Sequence, residues 1–324
     1  MAKRDPIEQA LEKLSALKSA PAGTDVLNAL RGFLGNRSNL VVAKAAKIAG
    51  ERRLRDLLPD LVTAFHKLMA DPARLDKRCA AVTEIVTSLY QMDYSEPDVY
   101  LTGMRHVQME GSFGPPIDSA AQLRGLGAQG IVRTRFPDAL AEAVTLLVDP
   151  EPPARMGAVR ALAANGGEAG ALALRLKVLT GDSVPDVLAE CFSGLLAAPS
   201  ESSIDFVAGY GDDDDPAVAE AAILALGASR SAKAIVTLKD KWQRTHRGPL
   251  KKVLLLALST SRSEDALQFL LGLLETAPVS TAAEVLAALA SQRPTQSIRD
   301  SIHSALTRRD NPSLLAAFHS AFPR

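Results

Sequence analysis

His106 and Glu110 stand four residues apart, a spacing that on a helix would bring an imidazole and a carboxylate to one face as two metal ligands. Two ligands do not complete a site. His66, His246, His303 and His319 are scattered, so His106 reads as a solvated or hydrogen-bonded side chain. The run Asp212 to Asp215 lacks the alternating ligands and glycine of a calcium loop and reads as a turn followed by a helix cap. Gly125, Gly127 and Gly130 are followed by no Lys-Ser/Thr pair and fit close helix packing better than a phosphate loop. No Gly-x-Ser-x-Gly elbow occurs either. No catalytic residue, metal or cofactor is therefore expected.

Two stretches carry the chemistry of recognition instead. Between Tyr90 and Pro116 lie three of the four tyrosines, together with Met, Arg and His side chains, ending in Gly114-Pro115-Pro116. This stretch reads as a binding loop with Tyr94, Tyr100, Arg105, His106, Glu110 and Phe113 as contacts. Alternatively, it is a long turn in which Tyr and Met fill irregular geometry. The second stretch gathers Lys239, Lys241, Arg244, Arg247, Lys251 and Lys252 around Trp242, the only tryptophan. Cations beside an aromatic ring suit nucleic-acid backbones and bases. They suit equally a solvated helix face over a packed indole.

The elements that hold these residues follow from composition and repetition. The chain has 324 residues, 37 basic against 37 acidic, and 4% aromatic residues. A composition so rich in Ala and Leu favours helix and opposes an all-β fold. No apolar run approaches the roughly 18 residues of a membrane span. Residues 1–60 carry 11 basic against 7 acidic side chains, and residues 241–324 carry 11 against 6, so the acidic excess sits in the middle. A balanced total argues against a general nucleic-acid binder. Met1 to Leu14 places Glu8, Glu12 and Lys13 where a signal peptide has its apolar core, and two cysteines suit a reducing compartment. A cytoplasmic location is expected.

A phrase recurs most clearly at Pro152, Pro185 and Pro216, with weaker copies from Asn39, Leu75, Pro116, Gly248 and Val279. Its eleventh position reads Ala49, Ile85, Leu126, Leu162, Leu195, Leu226, Leu258 and Leu289. A large apolar residue after a small one, as in Ala225-Leu226, predicts a buried stripe beside a close helix contact. Each copy continues into a second apolar-periodic segment, so the unit is helix, turn, helix. One such pair cannot bury its own apolar face, and the pairs must stack. Cys79 and Cys191 fall in the second and fifth copies, about three helix layers apart. They read as buried thiols, since a disulfide reaches only about 7 Å between Cα atoms.

The phrase Pro-x-(Ala/Val)-x-x-x-Ala-x-x-Ala-Leu, with Arg155 or Arg160 on its first helix, resembles the HEAT repeat. The short spacing after Pro152 resembles the HEAT-like repeats of bacterial proteins, including phycobilin lyases. The resemblance runs from about Thr24 to Arg324. It implies an all-α, right-handed α-α superhelix of about eight HEAT-like helix pairs, with second-helix residues such as Arg175, Lys177, Lys239 and Lys241 on the concave side. HEAT-type hydroxylases use repeated His-Glu pairs, and no adjacent His-Glu occurs in this sequence. HEAT-like DNA glycosylases need a catalytic Asp among aromatic side chains, and none can be matched.

The expected organisation is one repeat domain over residues 1–324, with an N-terminal cap at 1–38, an irregular insertion at 90–116 and a C-terminal cap helix at 310–324. The expected function is that of a non-enzymatic interaction scaffold or adaptor. It would bind a protein partner on the concave face and the insertion, with no membrane contact. The alternative is a nucleic-acid binder centred on Trp242.

Overall fold

The computed structural model describes residues 5–21, 23–198, 200–246 and 248–322. Its described residues form 20 α-helices and a single two-stranded hairpin, an all-α solenoid of helix pairs. No helix among them is long and apolar enough to cross a membrane. The chain divides into two compact units, Met1–Ala173 and Leu174–Arg324.

The first unit contains α1 (Pro6–Ser19), α2 (Thr24–Leu34), α3 (Asn39–Glu51), α4 (Leu58–Met69), the single turn α5 (Pro72–Leu75), α6 (Ala80–Gln91) and α7 (Pro97–Met104). The hairpin follows, β1 (Met109–Glu110) paired antiparallel with β2 (Ile117–Asp118), Met109 opposite Asp118 and Glu110 opposite Ile117. Then come α8 (Ala121–Ile131), α9 (Ala139–Thr145) and α10 (Pro152–Asn165). Helix α3 packs on α6, α6 on α8 and α8 on α10, which makes one continuous layer.

After α11 (Gly167–Thr180) the second unit contains α12 (Pro185–Leu195), α13 (Glu201–Gly209), α14 (Pro216–Ala228), α15 (Ala232–Arg244), α16 (Gly248–Thr260), α17 (Glu264–Thr276), α18 (Val279–Ser291), α19 (Gln296–Arg309) and α20 (Pro312–Ala321). Here α12, α14, α16, α18 and α20 pack in succession as one layer, and α13, α15, α17 and α19 as the other. Asp215 caps α14 by accepting from the Ala217 N–H, and Asn311 caps α20 by accepting from that of Leu314.

The repeated leucine column is the core. Ala49, Ile85, Leu162, Leu195, Leu226, Leu258 and Leu289 are all buried, and each large member contributes roughly 1.5–3 kcal/mol by leaving water. Leu126 is half-buried, because in this copy the helix starts at Ala121 rather than near Pro116. The copy read from Leu75 is likewise displaced, with its helix starting at Ala80. The intervening residues are taken up by α5 and a 3₁₀ turn in one case and by the hairpin in the other.

Small residues do bring helices together. A Cβ on Gly157 of α10 would lie 2.1 Å from the Gly125 Cα of α8, and one on Gly227 of α14 would lie 2.3 Å from the Ala257 carbonyl oxygen of α16. The turn leaving the first helix of a pair also repeats. Arg53, Asp93, Arg230, Arg262 and Arg293 each hold it at φ between 50° and 56°, a left-handed conformation that non-glycine residues adopt at a cost of roughly 1–2 kcal/mol.

Candidate recognition site

The hairpin between α7 and α8 is fixed from beneath by a buried ion-pair network. The Arg124 side chain, on α8, is 4% exposed and forms a fork on Asp149, with Nε to Oδ2 and Nη2 to Oδ1 both at 2.8 Å. Its Nη1 donates to Asp118 Oδ2 at 2.6 Å and to the His106 carbonyl at 3.1 Å. Asp118 also accepts from the backbone N–H groups of Gln108 and Ala120. Burial raises the Asp118 pKa, but these two N–H groups and the guanidinium outweigh it, and the carboxyl lies below its ordinary value. Burial likewise disfavours the charged Arg124, and Asp149 and Asp118 outweigh that and push its pKa up.

Gln108 and Glu110 tie the first strand to the turn before α6. Gln108 is 4% exposed and donates to the Asp76 carbonyl at 3.0 Å and to Glu110 Oε1 at 2.6 Å. Glu110 accepts from the Arg78 N–H at 2.6 Å and from Ser119 Oγ at 3.1 Å. Burial raises its pKa, but the bonds from Gln108, Arg78 and Ser119 prevail and lower it. The turn so held is strained, with Arg78 at φ 62° and Cys79 at φ 50° in succession. Asp76 secures its far end by accepting from the N–H groups of Ala81 and Val82.

The hairpin also presents apolar side chains to water. Val107 and Met109 are each 59% exposed, Ile117 is 53% exposed and Phe113 is fully exposed at the tip. Ser112 shapes the tip by donating to the Pro115 carbonyl at 2.7 Å and accepting from the Gly114 N–H. Four large apolar residues are thus exposed on one short segment, with Met109 and Ile117 on opposite faces because Met109 pairs with Asp118 and Ile117 with Glu110; apolar side chains exposed in such concentration mark an interaction site.

Of the sequence-predicted contacts, only Phe113 belongs to this apolar surface. Tyr100 is 1% exposed and donates to the Tyr94 carbonyl at 2.9 Å, so it is a core residue and not an exposed anchor. Its ring lies on Gly130, where an added Cβ would be 2.1 Å from Cδ1. Burial pushes its phenol pKa up strongly. Tyr94 is half-buried against Tyr100. Arg105 is exposed and ion-paired with Glu142 on α9. His106 and Glu110 share no helix, since His106 follows α7 and Glu110 lies in β1; His106 meets Gln108 Oε1 at 3.1 Å. Sequence reasoning missed Arg124, Gln108, Asp118, Asp149 and Asp76. The available signal was Arg124 itself, a charge among the small apolar residues of a helix that packs on both sides.

The residues around Trp242 are brought together in the second unit, where most of the cations are engaged. Lys239 pairs with Asp265 at 2.7 Å, Lys241 with Asp212 at 2.5 Å, Lys252 with Glu284 at 3.4 Å and Arg244 with Asp240. Lys251 sits 4.8 Å over the Trp242 ring, which packs edge-on against Phe269. Arg247 lies outside the described residues. The open cavity of about 460 Å³ beside this group is lined by both charge signs, Asp212 and Asp240 with Lys241 and Arg244. Arg175 donates to the Ser202 carbonyl and stacks over Phe206, and Lys177 pairs with Asp182 at 2.8 Å.

Both cysteines are buried free thiols, with burial pushing Cys79 up to about 11 and Cys191 up to about 12. Among the described residues no group of three or more His, Cys, Asp or Glu side chains is placed to hold a metal ion.

No protein-family signature matches the chain, and no curated protein matches it. Solved structures similar to it include human deoxyhypusine hydroxylase in complex with glycerol, at 17% identity and a TM-score of 0.32, covering 80% of this chain and 91% of that one. An engineered protein solved as a structural-genomics target is also similar, at 17% identity and a TM-score of 0.36, covering 99% and 95%. Likeness at this level concerns the helical-repeat fold alone. It nonetheless corrects the expectation of a non-enzymatic scaffold, because one of these similar chains is, by its name, a hydroxylase. The non-enzymatic reading is withdrawn.

Proposed function

We propose that the hairpin spanning 107–118 is a recognition element whose apolar side chains enter an apolar cleft on another protein, with Phe113 as the central knob. The carrying observation is the contrast between its polar and its apolar side chains. The polar groups are satisfied by Arg124, Gln108, Asp76 and Arg78, while Val107, Met109, Phe113 and Ile117 stay exposed. A hairpin held in place loses little conformational entropy when it is covered.

This reading concerns one surface and is compatible with chemistry elsewhere in the chain. Its frame is a solenoid of HEAT-like pairs in a reducing, cytoplasmic setting, which the two free thiols support. Phe113→Ala is expected to weaken binding of the partner by at least about 30-fold, the effect of an interface hot spot worth roughly 2 kcal/mol. Equal affinity of Phe113→Ala and the parent chain would show that the hairpin is not the contact.

A further inference from the structure

In the second unit, a cavity of about 240 Å³ lies between the turn joining α16 to α17 and the turn joining α18 to α19. Its floor is aliphatic, made by Leu258, Leu267, Leu289 and Ile298. Arg262 and Arg293 line it from equivalent positions of successive helix pairs, each exposed and each at positive φ, 52° and 50°. Several cations of this unit face a carboxylate, as Lys233, Lys239, Lys241, Arg244 and Lys252 do. Among the described residues, neither the Arg262 nor the Arg293 guanidinium has an ion-pair or side-chain hydrogen-bond partner. The acid in the lining, Glu264, is turned to Gln268, whose Nε2 donates to it at 2.7 Å. Ser263 and Thr295, which open α17 and α19 beside the same cavity, make no side-chain capping bond.

We propose that this cavity binds a medium-chain aliphatic carboxylate, its tail on the leucine floor and its head between Arg262 and Arg293. Charge complementarity selects the head. A guanidinium fork matches a carboxylate in geometry, and two unpaired forks beside an apolar floor outnumber the one carboxylate of the lining, Glu264, and leave a net cationic rim. Size selects the tail. Taking roughly 30 Å³ per water, the cavity has room for about eight waters, so it suits a ligand of about ten heavy atoms and not a drug-sized one. The repeat supplies the mechanism of placement, since the left-handed turn after the first helix holds an arginine at one edge of each of these two neighbouring pairs.

Octanoate is the probe, with octanol lacking the charge and acetate lacking the tail. Each is titrated into the full chain and followed by the methyl resonances of leucine and isoleucine. Octanoate is expected to saturate, with shifts at Leu258, Leu267, Leu289 and Ile298, at an affinity at least tenfold above that of either control. Arg262→Gln combined with Arg293→Gln is expected to bring octanoate down to the level of octanol while leaving the thermal midpoint unchanged. Both positions are exposed, and glutamine meets the same backbone requirement. Non-saturating shifts, equal binding of octanol and octanoate, shifts centred on another part of the chain, or undiminished octanoate binding by the double variant would each overturn the proposal.

Discussion

The Glu110 carboxylate, in the hairpin, accepts a 2.6 Å hydrogen bond from the backbone N–H of Arg78, a left-handed residue in the turn before α6. One contact thus joins the hairpin to two successive left-handed residues, Arg78 and Cys79. Glu110→Ala removes this bond together with those from Gln108 and Ser119. It is expected to lower stability by about 1–3 kcal/mol, the cost of leaving such donors without acceptors. Urea unfolding measures it, with a lower midpoint and an unchanged slope as the expected result.

Arg124 is the centre of the network. Arg124→Met preserves volume but leaves Asp118 and Asp149 facing one another with 6% and 8% of their side chains exposed. Removing one partner of a buried pair costs about 3–5 kcal/mol, and Arg124→Met is expected to lose that much. A thermal midpoint equal to that of the parent chain would show that the pairs do not hold the hairpin.

Acid should loosen the same region. Asp118 has a folded-state pKa below its unfolded value, so its contribution to stability is fully present above about pH 4, the ordinary aspartate value. That contribution is lost progressively as the pH falls through the depressed folded value. Stability measured by denaturant titration at falling pH should therefore drop below about pH 4. Asp118→Asn should be less stable at neutral pH and show a shallower acid dependence.

How much of this could be read from residues alone varies with what fixes each feature. The stacked pairs were legible because the column from Ala49 to Leu289 repeats at a spacing set by local helix geometry, and the buried positions follow from it. The displaced copies at Ala80 and Ala121 were not, because their registers are set by α5 and the hairpin, whose lengths obey no period. Tyr100 looked like a surface residue by composition. It is buried because Gly130, far along the chain, leaves room for its ring. Arg124, Asp118, Asp149 and Gln108 come together only in three dimensions. Each taken singly is an ordinary polar residue, and only their mutual hydrogen bonds make them a base for the hairpin.

Glycine substitutions separate close packing from helix propensity. Gly130→Ala would drive a methyl group into Tyr100 and is expected to cost about 1–3 kcal/mol as overpacking. Gly272→Ala, within α17 and with open space around its Cβ, is expected to stabilise by about 0.5–1 kcal/mol. Calorimetry on the two variants should show midpoint shifts of opposite sign.

The most direct test of the hairpin as a recognition element is photo-crosslinking from position 113, with a benzoyl-phenylalanine in place of Phe113 in native lysate. A matched probe at exposed Val236 of α15 serves as the control. The account predicts one discrete protein adduct from position 113 that survives nuclease, is absent from position 236 and disappears when Met109→Ser and Ile117→Ser are added. Adducts that are equally abundant from both positions, lost with nuclease, or unaffected by those two substitutions would contradict it.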